Sequence, residues 1–396
     1  MPDLLSLEEA LAHILERSTP LPSEIVRLER TVGRVVADPA LARADLPPFP
    51  SSAMDGFAVR GAETPGTLPI ALEVAAGSPS ARPLEPGSAA AIATGGAVPE
   101  GADTIVPVEH AVEENGQVRI AEPARAAAHI RPRGGDVREG AVVIPAGVRI
   151  GPAQIGALAA AGIADVRCFR RPRVSVLATG SELRAPGETL APGQIFESNR
   201  ATIAAVLEAS GAEVDVQPVV QDEEAAHRAA LERGLAADVL VSSGGVSMGP
   251  HDLVRRVAAE LGVEEVFWGV AVKPGKPLSF GLRNKTLVFG LPGNPVSSLV
   301  GALVFVRPAL LGLQGVADPR PRFQVGRIEI ALRRNEHRDE FVRARRSLDD
   351  RGVLLEPVIG QESHMIVRAA SADTLVHVPR GAGEIAAGDA VRYLDL

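Results

Sequence analysis

Val239-Leu-Val-Ser-Ser-Gly-Gly-Val-Ser-Met-Gly249 is an apolar, branched run that ends in a loop of glycines and serines, and a stretch with helical spacing, 252–261, follows it. Strand, small-residue loop and helix together form the repeating unit of a parallel sheet. Outward from this stretch the alternation continues from about 171 to 317. Strands are expected over 174–178, 214–220, 239–242, 266–272 and 287–290, and helices over 201–210, 223–234, 252–261 and 296–311. This zone therefore reads as an α/β domain of three layers with a mostly parallel sheet, in which ligands sit at the carboxyl ends of the strands.

Two further small-residue loops lie beside apolar runs of this zone: Lys273-Pro-Gly-Lys-Pro277 and Leu291-Pro-Gly-Asn-Pro295. Glycines let backbone N–H groups approach a phosphate-like ligand, helix starts add partial positive charge, and two nearby lysines add full charges. The three loops thus point to an oxyanion site. Neither a Walker A sequence nor a G-x-G-x-x-G fingerprint is present, which excludes the two commonest phosphate-binding folds.

At 396 residues the chain is long enough for two to four domains, and its 46% hydrophobic content supports well-buried cores. Aromatics make up 3% and the net charge is −8, which argues against a nucleic-acid partner and favours a small anion at locally basic loops. A single cysteine, Cys168, forms no intrachain disulfide or thiolate cluster and fits a reducing cytoplasm. Near the start, Ser6 and Glu9 form a capping-box pattern before Leu7, Leu11, Ile14 and Leu15, so an amphipathic helix is expected there and not a targeting signal. The apolar stretches 155–164 and 296–306 are shorter than the ~20 residues of a spanning helix.

Four zones follow from pattern. Residues 1–41 with 141–170 read as a discontinuous mixed, mainly helical domain, and 42–140, where Pro and Gly recur around brief apolar runs, as an inserted β-rich domain. Residues 171–317 form the α/β domain. Residues 320–396, with turn signals such as Asp349-Asp350-Arg351-Gly352, read as a small β-barrel or sandwich.

Each candidate residue has a plain reading beside the functional one. The 242–249 loop is either a tight connection or a ligand loop, and two glycines with three serines exceed what a turn needs. Lys273 and Lys276 are flanked by prolines, whereas most surface lysines are merely solvated. Pro295 suits a first helical turn whether or not an anion docks there. Asp55 and Asp136 stand in Asp-Gly and Gly-Gly-Asp turns that are commonly structural. Glu182 stands in a turn of a commonly structural kind and Asp222 equally suits a helix N-cap, but both follow the first two expected strands, where carboxylates around a phosphate would bind Mg²⁺. No histidine pair has metal-ligand spacing, and His251 and His364 are ordinary loop histidines or anion contacts. No nucleophile elbow is present.

Taken in order, Ser52-Ala-Met-Asp55-Gly-Phe-Ala, Thr94-Gly-Gly-Ala-Val-Pro, Arg133-Gly-Gly-Asp136, Thr179-Gly-Ser-Glu182-Leu, Ser242 to Gly249, Lys273 to Pro277 and Leu291-Pro-Gly-Asn-Pro295-Val-Ser resemble the molybdopterin molybdenumtransferase family, the MoeA and gephyrin E-domain proteins. The resemblance spans nearly the whole chain. It implies a four-domain subunit in an elongated homodimer, with an active site shared between subunits. It further implies insertion of molybdate into adenylylated molybdopterin with release of AMP, using Mg²⁺. A molybdopterin adenylyltransferase and a non-catalytic molybdopterin-binding scaffold are the alternative readings.

Carried over by motif, Asp55, Asp136, Glu182, Lys273 and Lys276 are the catalytic candidates. Thr94, Ser242, Gly244, Gly245, Ser247, Pro292, Pro295, Ser297, Arg343 and Ser363 are the binding candidates, and Glu182, Asp222 and Asp252 the metal ligands. Lys273, Lys276, Ser297, Arg343 and Ser363 would enclose molybdate. Beyond a second copy of itself, the implied partners are the adenylyltransferase that precedes it and acceptor molybdoenzymes, with no nucleic acid or membrane. Ser181 replaces a frequent family Asp, which removes one carboxylate, and Phe57 replaces a frequent Tyr.

Overall fold

The apolar runs between 173 and 291 become six strands of one sheet in a computed structural model, which describes residues 4–245 and 253–396. They are β1 (Arg173–Ala178), β2 (Glu213–Val216), β3 (Val239–Ser243), β4 (Glu264–Trp268), β5 (Ser279–Arg283) and β6 (Thr286–Leu291). Their order in space is β2-β1-β3-β6-β5-β4. β1 runs parallel to β2 and β3, and β3 parallel to β6, whereas β5 is antiparallel to both β6 and β4.

The sequence reading missed β5. It forms a hairpin with β6 across Asn284, whose φ of 55° is a conformation that asparagine tolerates. The strand expected over 266–272 divides: Glu264–Trp268 stays in the sheet, and Val272–Lys273 leaves it to pair in parallel with Asp339 and Glu340.

Period-two alternation gives each face of the sheet its own core. Val174, Val176, Val239, Val241, Phe289 and Leu291 face one side. There they meet α2 (Asn199–Ala209) through Ile203 and Leu207, and the helical run α5 (Pro295–Leu313) through Val300 and Phe305. Leu177 and Leu240 face the other side, where α3 (Glu224–Gly234) and α4 (Leu253–Glu260) contribute Leu231, Val254 and Val257. α5 is longer than its most apolar stretch indicates: 19 residues, apolar enough to cross a membrane by composition, with a π-helical turn at Ala302–Val306. Because 83% of its apolar window is buried, it is the core helix of this layer.

The N-terminal helix α1 (Leu7–Arg17) has the expected capping box: Ser6 Oγ accepts from Glu9 N at 3.1 Å, and the Glu9 carboxylate accepts from Ser6 N at 2.8 Å. Its partner differs from expectation. Leu7, Ala10, Leu11 and Ile14 join the core containing Val270 and Phe267 instead of packing with 141–170. Contacts divide the chain into two units. One holds residues up to Glu24, Gly33–Val35 and Phe169–Leu396, and the other holds Ile25–Val32 and Val36–Cys168.

The first unit ends in a barrel of Gln324–Ile328, Asp339–Asp349, Gly352–Pro357, Thr374–Val378 and Ala390–Asp395, closed by pairing of the second strand with the fourth. Its interior is filled by Ile328, Ala344, Leu355, Val376 and Tyr393. The second unit contains a six-stranded sheet in the order Thr104–Pro107, Gly56–Val59, Ala89–Ile92, Gly66–Val74, Gln117–Ile120 and Ala111–Glu114. A separate core in that unit gathers Val36, Ile144, Leu158, Val166 and Cys168.

Candidate active site

β1, β3 and β6 are parallel, so their carboxyl ends open at one edge, and a cavity of about 870 Å³ lies there. Its lining includes Thr179, Gly180 and Glu182 after β1, Ser243, Gly244 and Gly245 after β3, and Pro292, Asn294 and Pro295 after β6. Gly244 and Gly245 have φ of 88° and 64°, and a β-carbon on Gly244 would stand 2.9 Å from the Thr179 carbonyl. Glycine is therefore required on both backbone and steric grounds. The 242–245 and 291–295 loops touch: Gly244 N donates to Leu291 O at 3.1 Å, and a β-carbon on Gly293 would lie 3.8 Å from the Gly244 Cα.

Three residues fix this contact: Ser243 and Ser298, in or just after loops already singled out in the sequence, and Asn199, which the sequence reading missed. Asn199, at the start of α2, donates through Nδ2 to Ser243 Oγ and to Gly293 O, both at 2.8 Å. Ser243 Oγ lies 3.2 Å from Ser298 Oγ, which itself donates to Pro292 O. All three side chains are buried. The available signal was strand parity, since Ser243 continues the Val239, Val241 face toward α2 and α5.

The same parity corrects Ser242. Its Oγ lies 3.4 Å from Phe289 O on the opposite face, where it lines a different cavity with Val254 and Phe280. Ser247 and Asp252 lie outside the described residues, as does His251.

Glu182 and Asp222 both line the cavity. The Glu182 carboxylate rests over Gly180, where a β-carbon would meet its oxygens at 2.6 and 2.7 Å. Asp222 is fixed through Ser181, whose N–H donates to Oδ2 at 2.9 Å while its hydroxyl accepts from Asp222 N at 3.2 Å. The departure at Ser181 thus supplies an acceptor for the backbone in place of a third carboxylate. Among the described residues no group of three metal-ligating side chains assembles. Two oxygen-donor carboxylates lining a cavity with room for a phosphorylated ligand still fit Mg²⁺, which is commonly held by one or two carboxylates plus substrate phosphates.

The lysine turn is placed separately. Lys273 is paired with Glu340 at 2.9 Å in a second cleft that also holds Arg333, Arg334 and His337. Lys276 is half-buried, and Gly275 between the two lysines approaches the buried Ser297, with a β-carbon 3.8 Å from its carbonyl. Ser363 O accepts from Val296 N at 3.0 Å, which ties the Ser363 loop to the start of α5, and His364 lines the cavity at the strand ends.

Arg343 does not line either cleft. It is fully buried and donates to Gly360 O at 2.7 Å, Met365 O at 2.8 Å, Glu362 O at 3.3 Å and Gln361 Oε1 at 3.3 Å. What the structure gives it is a role in shaping the loop that carries Ser363 and His364.

Asp55, Thr94 and Asp136 belong to the second unit. Thr94 N donates to Asp55 Oδ1 at 2.6 Å, and this bond holds the exposed Asp55 carboxyl below its usual range. Asp136 is exposed on a turn held by Asp45, which accepts from Arg133 Nε at 2.6 Å and from Glu139 N at 2.9 Å.

A mostly parallel α/β sheet whose carboxyl edge carries glycine loops, buried hydroxyls and carboxylates around one cavity defines the class: an α/β protein with its ligand site at the strand ends. Known relatives narrow it. Residues 5–162 match the MoeA N-terminal region (domain I and II), 175–312 a probable molybdopterin binding domain, and 326–396 the MoeA C-terminal region (domain IV). A molybdopterin molybdenumtransferase of Haemophilus influenzae is 33% identical over 98% of each chain, and molybdopterin molybdenumtransferase 2 of Mycobacterium tuberculosis is 36% identical over 98% of each. A molybdopterin biosynthesis MoeA protein of Pyrococcus horikoshii superimposes with a TM-score of 0.86 at 25% identity, covering 100% of both chains. The chain belongs to the molybdopterin molybdenumtransferase family.

Proposed function

We propose that this chain is the transferase of the molybdenum-insertion step in molybdenum cofactor biosynthesis, and that it inserts molybdate into adenylylated molybdopterin with release of AMP. Family membership supports the step, and one observation carries the assignment of the site: the loops after β1, β3 and β6 line a single cavity large enough for a phosphorylated pterin. The protein works as a cytoplasmic homodimer of four-domain subunits, in which a second copy supplies Asp55, Thr94 and Asp136. Boundaries near 41, 140, 170 and 320 divide each subunit.

In this reading Gly245 turns its backbone N–H to the pterin phosphate, while Gly244, tied through its own N–H to Leu291 O, and Asn199, Ser243 and Ser298 keep the loop shaped for it. Lys273, Lys276, Ser297 and Ser363 gather around the turn at 273–277 to hold the molybdate oxyanion. Charge-assisted hydrogen bonds there orient it toward the dithiolene sulfurs. Lys273 reaches the anion by leaving Glu340, so substrate charge replaces an internal counter-ion. Glu182 and Asp222, joined by Asp252, would hold Mg²⁺, which when bound neutralises charge developing on the leaving AMP phosphate. Asp55, held through Oδ1 by Thr94 N, orients water or ligand together with Asp136.

The test is direct incubation with adenylylated molybdopterin, Mg²⁺ and molybdate. Molybdate-dependent release of AMP, together with reconstitution of a cofactor-free molybdoenzyme, is the expected result. ATP-dependent adenylylation of metal-free molybdopterin, or tight pterin binding without turnover, would replace this proposal by one of the alternatives.

A further inference from the structure

α3 buries a stripe at His227, Ala230, Leu231 and Gly234, the i, i+3, i+4, i+7 spacing of an apolar helix face. Histidine occupies the first place of that stripe. It is 2% exposed, lines the cavity at the strand ends, and among the described residues neither ring nitrogen has a hydrogen-bond partner. The Gln221 backbone is near enough to be felt, though outside hydrogen-bond geometry. A buried polar group left this way costs about 1–3 kcal/mol, so an apolar residue would be cheaper for folding alone.

An imidazole can donate from Nε2, as the Nε2–H tautomer or from both ring nitrogens when charged. Nε2 stands 3.8 Å from Asp222 Oδ1, the oxygen opposite the one fixed by Ser181 N. A small side-chain rotation brings the pair within the ~2.9 Å of an N–H···O bond.

We infer that His227 is a positioning residue: from the buried face of α3 its Nε2–H fixes Asp222 Oδ1, and so sets the direction in which that carboxylate meets a divalent cation in the cavity. The inference rests on the cation reading above. Partners that orient a ligating carboxylate typically change metal affinity 10–100-fold when removed.

The test measures Mn²⁺ binding to the full chain by electron paramagnetic resonance, with melting temperature as a second readout. H227L should raise the Mn²⁺ Kd about 10-fold, with the melting temperature of the metal-free protein close to that of the parent, which separates lost cation binding from lost folding. H227Q, whose amide can donate, should return the Kd to within about 3-fold of the original. D222N combined with H227L should bind no more weakly than D222N alone, since His227 acts through Asp222. H227M serves in the same way if leucine is not accommodated. An unchanged Kd in H227L and H227M, or additive losses in the double variant, overturns the inference and leaves the cation reading standing. Absence of Mn²⁺ binding by the unaltered protein overturns the cation reading, and the inference with it.

Discussion

The two ends of the central sheet treat the same functional group in opposite ways. At the amino end of β3, Asp238 receives both prongs of Arg170, each at 2.6 Å, and the backbone N–H of Arg173 at 2.8 Å. At the carboxyl ends of the same sheet, Glu182 has no ion pair among the described residues, and Asp222 has a backbone N–H and a distant imidazole. A carboxylate clamped by a guanidinium contributes to stability. A carboxylate left without a counter-charge contributes little to folding and remains available to a cation. The lysine turn is an intermediate case: Lys273 carries a counter-ion, Glu340, but the pair is half exposed and exchangeable.

This contrast can be broken in four ways, of decreasing effect. Lys276→Ala and Glu182→Gln should each lower molybdate-dependent AMP release at least about 100-fold, as loss of a charge-stabilising group does, with no loss of melting temperature. If release at limiting molybdate is unchanged, the carboxyl edge is not the reacting site. Asn199→Ala removes one buried and one partly buried hydrogen bond and should cost about 2 kcal/mol in urea titrations, while also weakening AMP binding because the 242–245 loop loses its brace.

Asp238→Asn should act on stability alone, by about 2 kcal/mol at pH 7, with AMP release retained. Burial pushes the Asp238 carboxyl up, yet Arg170 and the Arg173 N–H outweigh it and hold the group below its ordinary 3.8. A depressed folded pKa gives stability that is present above 3.8 and lost as pH falls through the depressed value. The gap between variant and parent in thermal melts should therefore close below that pH, and a gap that persisted there would mean the effect is packing. Glu340→Gln is the mildest change: stability should move within about 0.5 kcal/mol, and molybdate should bind a few-fold more tightly because Lys273 is released.

Much of the sheet was legible because strand runs such as Val239–Ser243 are branched and bounded by glycine, and because a parallel sheet puts ligands at one known edge. The hairpin of β5 and β6 was less legible, since its turn rests on Asn284 instead of glycine. α1 could be placed as a helix by its cap, but an amphipathic face does not name the surface that covers it. Ser242 and Ser243 show the limit at the site. Both are buried serines in the same glycine loop, and only the parity of β3 separates the one that touches Asn199 from the one that touches Phe289.

What the sequence determined by itself was chemical: which loops carry glycine, lysine and carboxylate, in an order specific to one family. That follows from local conformation, because a positive φ at Gly244 and Gly245 has to be written into the residue type. Only the tertiary structure decided which charges have partners. Arg170 and Asp238 are 68 residues apart, Lys273 and Glu340 are 67 apart, and the burial of His227 beside Asp222 comes from the packing of α3. Counter-charges and burial depend on distances in space, which residue spacing along a chain does not encode.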